Sequence, residues 1–396
     1  MRKEPVLLQD FPRAARCERI APFYVMSLVR QAEELAAQGV DVIHLGIGEP
    51  DFPTPEAVIT AGQAALAAGQ TRYTSALGLP SLRQAIAQYY KTHLHVAVPW
   101  QRIVLTPGGS GALQLALAAL VGPGDGVLVT DPGYPCNRHF VELVSAEPQP
   151  LLRKKDKGWA ITLADVQAAW QPNTRGLVMA SPDNPTGALL DPQAVAAIAQ
   201  WVEAQGGFLI MDEIYQGLSV NEPWSALSAA DHVIIVNSFS KYFGMTGWRL
   251  GWLVVPEVML DDVERMAQNF FLAPPTLSQY AALAAFSEPV LKELEERRHT
   301  LLARRAYLLE AMATLGWQVT GAPEGAFYLY IDISSTTEDS FAFCEQLLQA
   351  TGVALTPGVD FGAAHHPHHF IRIAYTVPQA RLEEAVERIQ QFLETL

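Results

Sequence analysis

From about residue 103 onward, short apolar runs alternate with helix-forming segments, and this alternation constrains the fold more than any other feature. The candidate strands are Ile103–Thr106, Val127–Thr130, Gly176–Ala180, Phe208–Met211, Val233–Val236 and Leu250–Val254. The segments between them include the helical patterns Gly111–Val121, Pro192–Ala204 and Glu257–Asn269. Near-continuous apolar strands separated by helices are typical of a mostly parallel sheet that helices cover on both faces. We therefore predict an α/β domain.

The pattern changes after Pro289, where a long charged helix is predicted from Leu291 to about Leu315. A smaller α+β unit follows, with strands near Phe327–Ile331, Val353–Leu355 and Phe370–Tyr375 and helices over Ser340–Ala350 and Pro378–Leu393. A chain of 396 residues is long enough for about two domains. We predict that residues 1–45 form an N-terminal arm and part of the small domain, residues 46–290 the large domain, and residues 291–396 the C-terminal small domain.

The composition is that of a globular protein, with 49% hydrophobic and 17% charged residues. A net charge of −14 disfavours nucleic acids and anionic membranes as partners. Residues Met1 to Ile20 interleave charged with apolar residues and lack the apolar core of a signal peptide. Three cysteines lie far apart without metal-ligand spacing. We therefore expect a cytoplasmic protein that acts on small molecules.

A single lysine, Lys241, follows one of the candidate strands within the sequence Ser238-Phe239-Ser240-Lys241. Lysine forms a Schiff base with an aldehyde when its environment keeps the amine neutral. Aromatic and small residues surround Lys241, which is unusual for a solvated surface lysine. The nearby hydroxyls and the following Arg249 suit a phosphate monoester. Because pyridoxal phosphate is an aldehyde that carries a phosphate, this segment predicts a site for that cofactor.

Other strand ends supply further groups that such a cofactor needs. Gly109 and Ser110 lie in a glycine-rich turn that opens a helix, where backbone N–H groups can bind a phosphate, although an ordinary tight turn is equally compatible. Asp212 ends an apolar run and can pair with a protonated pyridine nitrogen; a helix cap is the alternative. Tyr215 follows closely and can donate to the ring oxygen.

Three more residues can bind the ring or the substrate. Tyr134 can stack on a flat heteroaromatic ring or pack locally in its turn. Asn184 offers a donor and an acceptor, which suits a phenolate oxygen and a carboxylate, but it also suits a turn before a helix. Arg372 is the one charge on an alternating strand, where a guanidinium can hold an α-carboxylate bidentately; an exposed or structural arginine is the alternative.

Together these motifs resemble the pyridoxal-phosphate-dependent aminotransferases of fold type I, class I/II, of the aspartate aminotransferase type, from about Ile20 to the C-terminus. The resemblance implies a large cofactor-binding domain with a mostly parallel, mixed seven-stranded sheet, a smaller α+β domain, and a homodimer. It assigns Gly48 to the substrate carboxylate and Tyr73 to the phosphate of the neighbouring subunit. The resemblance also makes Lys241 the Schiff-base lysine, Asp212 the partner of the pyridine nitrogen and Tyr215 the phenol. It places Tyr134 at the ring, and Gly109, Ser110, Ser238 and Arg249 at the phosphate. It places Asn184 at the ring oxygen and the substrate, and Arg372 at the α-carboxylate.

The resemblance implies a ping-pong transamination in which the amino group of an L-amino acid moves to a 2-oxo acid, with 2-oxoglutarate the usual acceptor in the family. Lys241 is then the general base, and Asp212 keeps the ring cationic. A C–S β-lyase on the same scaffold stays open, as does a cofactor-binding transcription regulator, which the acidic composition disfavours. Phe23, Tyr24 and Phe361 favour an apolar or aromatic donor, and packing within the N-terminal arm explains them equally well.

One conspicuous motif, His365-His366-Pro367-His368-His369, has no part in this predicted function. Histidine-rich tracts can bind a metal ion. Because the proline bends the chain and no cysteine or acid accompanies the histidines, we expect a solvated loop near the mouth of the active site rather than a metal site.

Overall fold

The computed structural model describes residues 12–396. Residues 1–11, which begin the predicted N-terminal arm and were searched for a signal peptide, lie outside the described residues. The α-helices are α1 (Arg16–Arg19), α2 (Tyr24–Ala37), α3 (Glu56–Ala67), α4 (Pro80–His93), α5 (Gly108–Leu120), α6 (Pro135–Leu143), α7 (Leu163–Ala169), α8 (Pro192–Ala204), α9 (Leu260–Phe270), α10 (Thr276–Ala282), α11 (Glu288–Thr314), α12 (Ser340–Thr351) and α13 (Gln379–Leu393). Across residues 12–396, no helix is both long enough and apolar enough to cross a bilayer.

The strands are β1 (Ile43–His44), β2 (Ile103–Thr106), β3 (Gly126–Asp131), β4 (Glu147–Leu152), β5 (Thr174–Ala180), β6 (Phe208–Asp212), β7 (Ile234–Ser238), β8 (Gly251–Val254), β9 (Gln318–Val319), β10 (Tyr328–Asp332), β11 (Val353–Ala354), β12 (Thr356–Pro357) and β13 (Phe370–Ala374). Seven of them form one large sheet in the order β2-β8-β7-β6-β5-β3-β4. Only the pairings of β8 with β2 and β7 are antiparallel in this sheet. The predicted mostly parallel, mixed α/β sheet is confirmed.

Strand β6 at the middle of the large sheet shows why the sheet strands are almost entirely apolar. Leu209 and Met211 belong to one hydrophobic core, and Ile210 belongs to another. Successive side chains of a strand point to opposite faces, so both faces of the sheet are covered. The carboxyl ends of parallel strands meet at one edge, which places Asp212 at the end of β6 beside the end of β7.

The edge strand β4 was missed by the sequence analysis, for a physical reason. It contains Pro148 and Pro150, and its residues alternate between buried and exposed. Proline has no N–H to donate to a sheet, so prolines in strands are confined largely to edges. Here β4 pairs on one side only, with β3. An interrupted, half-exposed edge strand therefore lacks the apolar run that identified the other strands.

The C-terminal unit has a four-stranded antiparallel sheet in the order β12-β13-β10-β9. The predicted strand Val353–Leu355 corresponds to β11, which pairs with β1; a separate short strand, β12, follows it and pairs with β13. The pairing of β1 with β11 brings the segment before Gly46 beside the C-terminal unit. The domain boundaries near residues 45 and 290 stay predictions.

Candidate active site

A cavity of about 350 Å³ lies where the carboxyl ends of the large sheet meet the C-terminal unit and α2. Ten of the twelve residues predicted for the site line this cavity: Gly48, Gly109, Ser110, Tyr134, Asn184, Asp212, Tyr215, Lys241, Arg249 and Arg372. These residues come from segments far apart in the chain. The fold therefore brings into one cavity the groups that the strand ends predicted separately.

Lys241 lines this cavity with a partly buried side chain, three residues after β7 ends. Its Nζ donates a hydrogen bond of 2.6 Å to the carbonyl oxygen of Gly48. The pKa of Lys241 is lowered to about 8, mainly by burial; Glu49 opposes the shift, whereas Arg372 and Arg249 contribute to it. A lysine with such a pKa has a substantial neutral fraction near neutral pH, which makes its amine a nucleophile and a base.

Asp212, the last residue of β6, contributes a buried carboxyl group to the same cavity. Its Oδ1 accepts a hydrogen bond of 3.0 Å from the backbone N–H of Ile214. Burial raises the pKa of Asp212 to about 7, and the nearby Asp183 raises the pKa as well, whereas Lys241 lowers it. A cationic group bound beside this carboxyl would bring the pKa back down. The protonated nitrogen of a pyridine ring is such a group.

One end of the cavity has the donors that an anion needs. Helix α5 begins at Gly108, and no side chain caps its first turn, so the N–H groups there are available to a ligand. A Cβ atom at Gly108 would lie 2.5 Å from Nη2 of Arg249, so glycine makes room for that guanidinium. Ser110, Ser240 and Arg249 line the cavity at this end. The set of N–H groups, hydroxyls and a guanidinium fits a phosphate monoester.

Two predicted site residues do not line the cavity in the described chain. Ser238 is buried, and its Oγ accepts a hydrogen bond of 3.1 Å from the backbone N–H of Ser240. Ser240 lines the cavity instead, with its Oγ 2.9 Å from the Oγ of Ser238. The assignment of Ser238 to the phosphate stays a prediction. Tyr73 is 80% exposed and does not line the cavity.

Arg372, in the middle of β13, is held rigidly before any ligand binds. Its Nη1 donates to Oδ1 of Asn184 at 2.8 Å, and its Nη2 donates to the carbonyl oxygen of Gly46 at 2.7 Å. The guanidinium lies over the rings of Tyr328 and Phe361, 4.1 and 4.9 Å from their centroids. Its Nε is buried and has no hydrogen-bond partner among residues 12–396. A preorganised guanidinium with a free N–H is suited to bind a carboxylate.

The turn that carries Asn184 is fastened by a buried ion pair. Nη1 of Arg153 lies 2.6 Å from Oδ2 of Asp183, and both side chains are 1% exposed. The same Oδ2 accepts a hydrogen bond of 2.6 Å from the hydroxyl of Thr186. Asp183 thus fixes the loop next to Asn184, which in turn accepts from Arg372.

Tyr328, at the start of β10, is a site residue that sequence reasoning missed. Its hydroxyl lies 2.9 Å from the hydroxyl of Tyr215, and its ring supports Arg372. A Cβ atom at position 48 would lie 2.2 Å from the Tyr328 hydroxyl, so Gly48 is required for this close approach. In the sequence, Tyr328 belongs to an apolar strand and is indistinguishable from a core tyrosine.

An apolar wall forms the remaining side of the cavity. Its members are Phe23, Val25, Met26, Val29, Ile47 and Leu113. The start of α2 is fixed by Asp360, which accepts hydrogen bonds of 2.8 Å from the backbone N–H groups of Tyr24 and Val25. Of the three residues predicted near the substrate side chain, Phe23 lines the cavity. Tyr24 packs against Phe341, and Phe361 lies against Arg372.

Comparison with known proteins shows which family this chain belongs to. The model of the family "Aminotransferase class I and II" matches residues 40–389. The chain belongs to the class I and II aminotransferases. The valine–pyruvate aminotransferase of Mycobacterium tuberculosis is 39% identical over 96% of this chain and 98% of its own length. The aspartate/prephenate aminotransferase of Thermus thermophilus is 34% identical over 96% of this chain and 98% of its own length.

Solved structures agree with the family assignment. An aminotransferase from Mycobacterium tuberculosis superposes with a TM-score of 0.93 at 38% identity, covering 98% of this chain and all of its own. The aspartate aminotransferase from Thermus thermophilus with maleate has a TM-score of 0.90 at 32% identity, covering 96% of this chain and 99% of its own. Members of this family use pyridoxal phosphate, and the cavity fits that cofactor in its lysine, its buried acid and its anion-binding end. The protein is a pyridoxal-phosphate-dependent transaminase with a fold type I architecture.

Proposed function

We propose that this aminotransferase moves the amino group of an L-amino acid with an apolar side chain to a 2-oxo acid by a ping-pong mechanism. The observation that carries the proposal is that the apolar wall lies in the same cavity as the guanidinium of Arg372, here called the Arg372 clamp. An α-carboxylate bound at Arg372 leaves the substrate side chain to contact a surface of hydrocarbon groups. Burying such a side chain is worth about 25 cal/mol per Å² of apolar surface.

Pyridoxal phosphate, when bound, supplies an electrophilic aldehyde carbon and a conjugated ring that can accept an electron pair. Asp212 would hold the ring nitrogen as a cation, and Tyr134 would lie against the ring. Arg372 and Asn184 would orient the substrate through its α-carboxylate. Lys241 Nζ would take the α-proton as general base, a role that its lowered pKa of about 8 supports.

The acceptor follows from the charges in the cavity. Among the described residues that line it, the lysines and arginines are Lys241, Arg249 and Arg372, and each has a role above. Among the lining residues within 12–396, no further cation is left for a second carboxylate. We therefore propose that pyruvate, named in the valine–pyruvate relative, is used at least as well as the 2-oxoglutarate implied by the resemblance.

The half-reaction with single amino acids tests the proposal. Holoenzyme is mixed with L-valine, L-leucine, L-phenylalanine or L-aspartate, and the conversion of the cofactor to its amine form is followed by absorbance. An apolar donor should exceed L-aspartate at least about tenfold in kcat/KM, because burying a branched or aromatic side chain gains about 1.5–3 kcal/mol. Faster conversion by L-aspartate would refute the apolar donor, and release of pyruvate and ammonia from L-cysteine or L-cystathionine would favour the β-lyase alternative.

The role of Lys241 is tested separately from donor specificity. Lys241→Ala should complete no turnover with any donor, and borohydride reduction of the wild-type holoenzyme should label the peptide that contains Lys241. Lys91→Ala, which replaces an exposed lysine at the end of α4, is the matched control and should keep wild-type rates. A Lys241→Ala protein with normal turnover would contradict the proposed mechanism.

We also propose a homodimer in which Tyr73 of each subunit reaches the phosphate site of the other. The 80% exposure of the large Tyr73 side chain supports a protein contact at this residue. Sedimentation should give twice the chain mass, and Tyr73→Phe should weaken phosphate-dependent cofactor binding. A monomer with full activity would contradict the dimer.

The free cysteines suit a cytoplasmic setting, which cell fractionation tests.

A further inference from the structure

The histidine tract is more ordered in the fold than its sequence indicates. Pro367 begins a short 3-10 turn, Pro367–His369, and the backbone N–H of His369 donates to the carbonyl oxygen of His366 at 2.9 Å. His366 adopts the left-handed conformation, with φ of 53°. Rather than separating the histidines, the proline starts the turn that folds them together. The rings of His366 and His369 stack with centroids 5.3 Å apart.

Three of the histidines form a cluster with metal-ligand chemistry. One ligand nitrogen from each of His366, His368 and His369 lies within 4.8 Å of the others. His365 is not part of this cluster. In a tetrahedral site with metal–nitrogen bonds of about 2.0–2.1 Å, neighbouring nitrogens lie about 3.4 Å apart. Side-chain rotations of these half-buried and exposed imidazoles are sufficient to bring their nitrogens from within 4.8 Å to the separation that a tetrahedral site needs.

An acid also joins the histidines, which the sequence analysis did not anticipate. Glu338, from the loop before α12, places Oε2 2.7 Å from Nε2 of His369. Metal-binding histidines commonly donate their second ring N–H to a carboxylate, which fixes the ring orientation. The backbone is fastened on both sides of this contact, because the N–H of Ile333 donates to the carbonyl oxygen of His369 at 2.8 Å.

The turn is also packed against the rest of the C-terminal unit. A Cβ atom at Gly358 would lie 2.3 Å from the carbonyl oxygen of Pro367, so the two backbone segments are in direct contact. The side chain of His369 is only 21% exposed. The cluster is therefore part of a defined surface and differs from a freely moving histidine tract.

We propose that His366, His368 and His369 bind one divalent ion that prefers imidazole ligands, with Glu338 orienting His369. Zn²⁺, Ni²⁺ and Cu²⁺ have this preference, whereas Mg²⁺ and Ca²⁺ prefer oxygen ligands. The ion is structural: it fastens the start of β13 to the loop before α12. It takes no part in transamination, because the cluster shares no residue with the lining of the catalytic cavity.

Metal titration of the holoenzyme tests this inference. After dialysis against a chelator, the protein is titrated with Zn²⁺ in a calorimeter and with Co²⁺ by absorption spectroscopy. We expect one ion per chain, a Co²⁺ spectrum without a thiolate charge-transfer band, and a thermal midpoint that rises on adding Zn²⁺, because the ion binds only the folded cluster. The absence of a thiolate band separates this site from binding at the exposed Cys17.

Single variants distinguish the cluster from the tract as a whole. His366→Ala, His368→Ala and His369→Ala should each weaken Zn²⁺ binding at least tenfold, and Glu338→Gln should weaken binding less. His365→Ala, the matched control from the same segment, should bind within about twofold of wild type. All five should retain wild-type transaminase rates. If His365→Ala weakens binding as much as the others, or if one ion still binds tightly when all three cluster histidines are alanine, the proposal is overturned.

Discussion

The buried acid Asp212 should make the protein less stable without its cofactor, and replacing it should reveal this cost. Asp212→Asn keeps an oxygen at the same position, so the hydrogen bond from the N–H of Ile214 can remain. What the substitution removes is the negative charge. We expect Asp212→Asn to stabilise the cofactor-free protein above neutral pH while it abolishes most transaminase activity.

The size of the effect follows from the pKa. Burial raises the pKa of Asp212 from 3.8 to about 7, so the folded state binds a proton more tightly than the unfolded state between these values. Stability contributed by this residue therefore falls as the pH rises through that window. At about 1.36 kcal/mol per pKa unit, the ionised carboxylate costs about 4 kcal/mol above pH 7. Near pH 5 the cost is only about 2 kcal/mol.

The assay is thermal unfolding of cofactor-free wild type and variant at about pH 5 and about pH 8. The stability advantage of Asp212→Asn should grow by about 2–3 kcal/mol between these values. With an unfolding entropy of about 2.1 cal/mol/K per residue, that difference is about 3 °C in the midpoint for a chain of 396 residues. Asp261→Asn, which replaces an exposed acid in α9, should show no such growth with pH.

The holoenzyme provides the contrasting measurement. In the proposed role of Asp212 the carboxylate would pair there with a cationic ring nitrogen, so Asp212→Asn should lose the advantage and bind the cofactor less tightly. A stability difference in the cofactor-free protein that does not change with pH would refute the reasoning. So would an equal gain in the presence and absence of pyridoxal phosphate.

Three further substitutions test the Arg372 clamp and its support. Arg372→Lys should lower kcat/KM about 100-fold for every donor alike, because the ammonium group of lysine is a point charge and cannot bind a carboxylate bidentately. A loss confined to one donor would mean that Arg372 contacts the side chain of that donor. Gly48→Ala should lower kcat/KM about tenfold by displacing the Tyr328 hydroxyl, 2.2 Å from the new Cβ, and unchanged kinetics would contradict that contact. Asp183→Asn should cost about 3–5 kcal/mol in chemical unfolding, since it leaves the buried Arg153 uncompensated, and a change within error would refute the ion pair.

Much of the fold and site could be predicted because the relevant signals are local. Buried parallel strands need apolar runs, and each such run ends at the edge where ligands bind. Asp212 and Lys241 were identifiable because Asp212 ends one apolar strand and Lys241 comes three residues after another. The strands with weaker signals were harder: β4 is interrupted by Pro148 and Pro150 and lies at the edge of the sheet.

Contacts between distant segments could not be predicted in the same way. Tyr328 is separated from Tyr215 by 113 positions, and nothing in either segment indicates that their hydroxyls meet. Glu338 reaches His369 across 31 positions, so the expectation of histidines without an acid was wrong. The presence of Ser240 in the cavity wall, with its Oγ 2.9 Å from the Oγ of Ser238, depends on the turn after β7.

The amino-acid sequence therefore determined which chemical groups this protein has at its candidate site. The lysine, the acid, the arginines and the glycine turn lie near strand ends or helix starts. A mostly parallel sheet places these positions along one edge. The tertiary structure alone decided how those groups behave. Burial lowers the pKa of Lys241 and raises that of Asp212, and close packing leaves Arg372 with a free donor. These properties depend on desolvation and on contacts between separate segments, which no local pattern of residues contains.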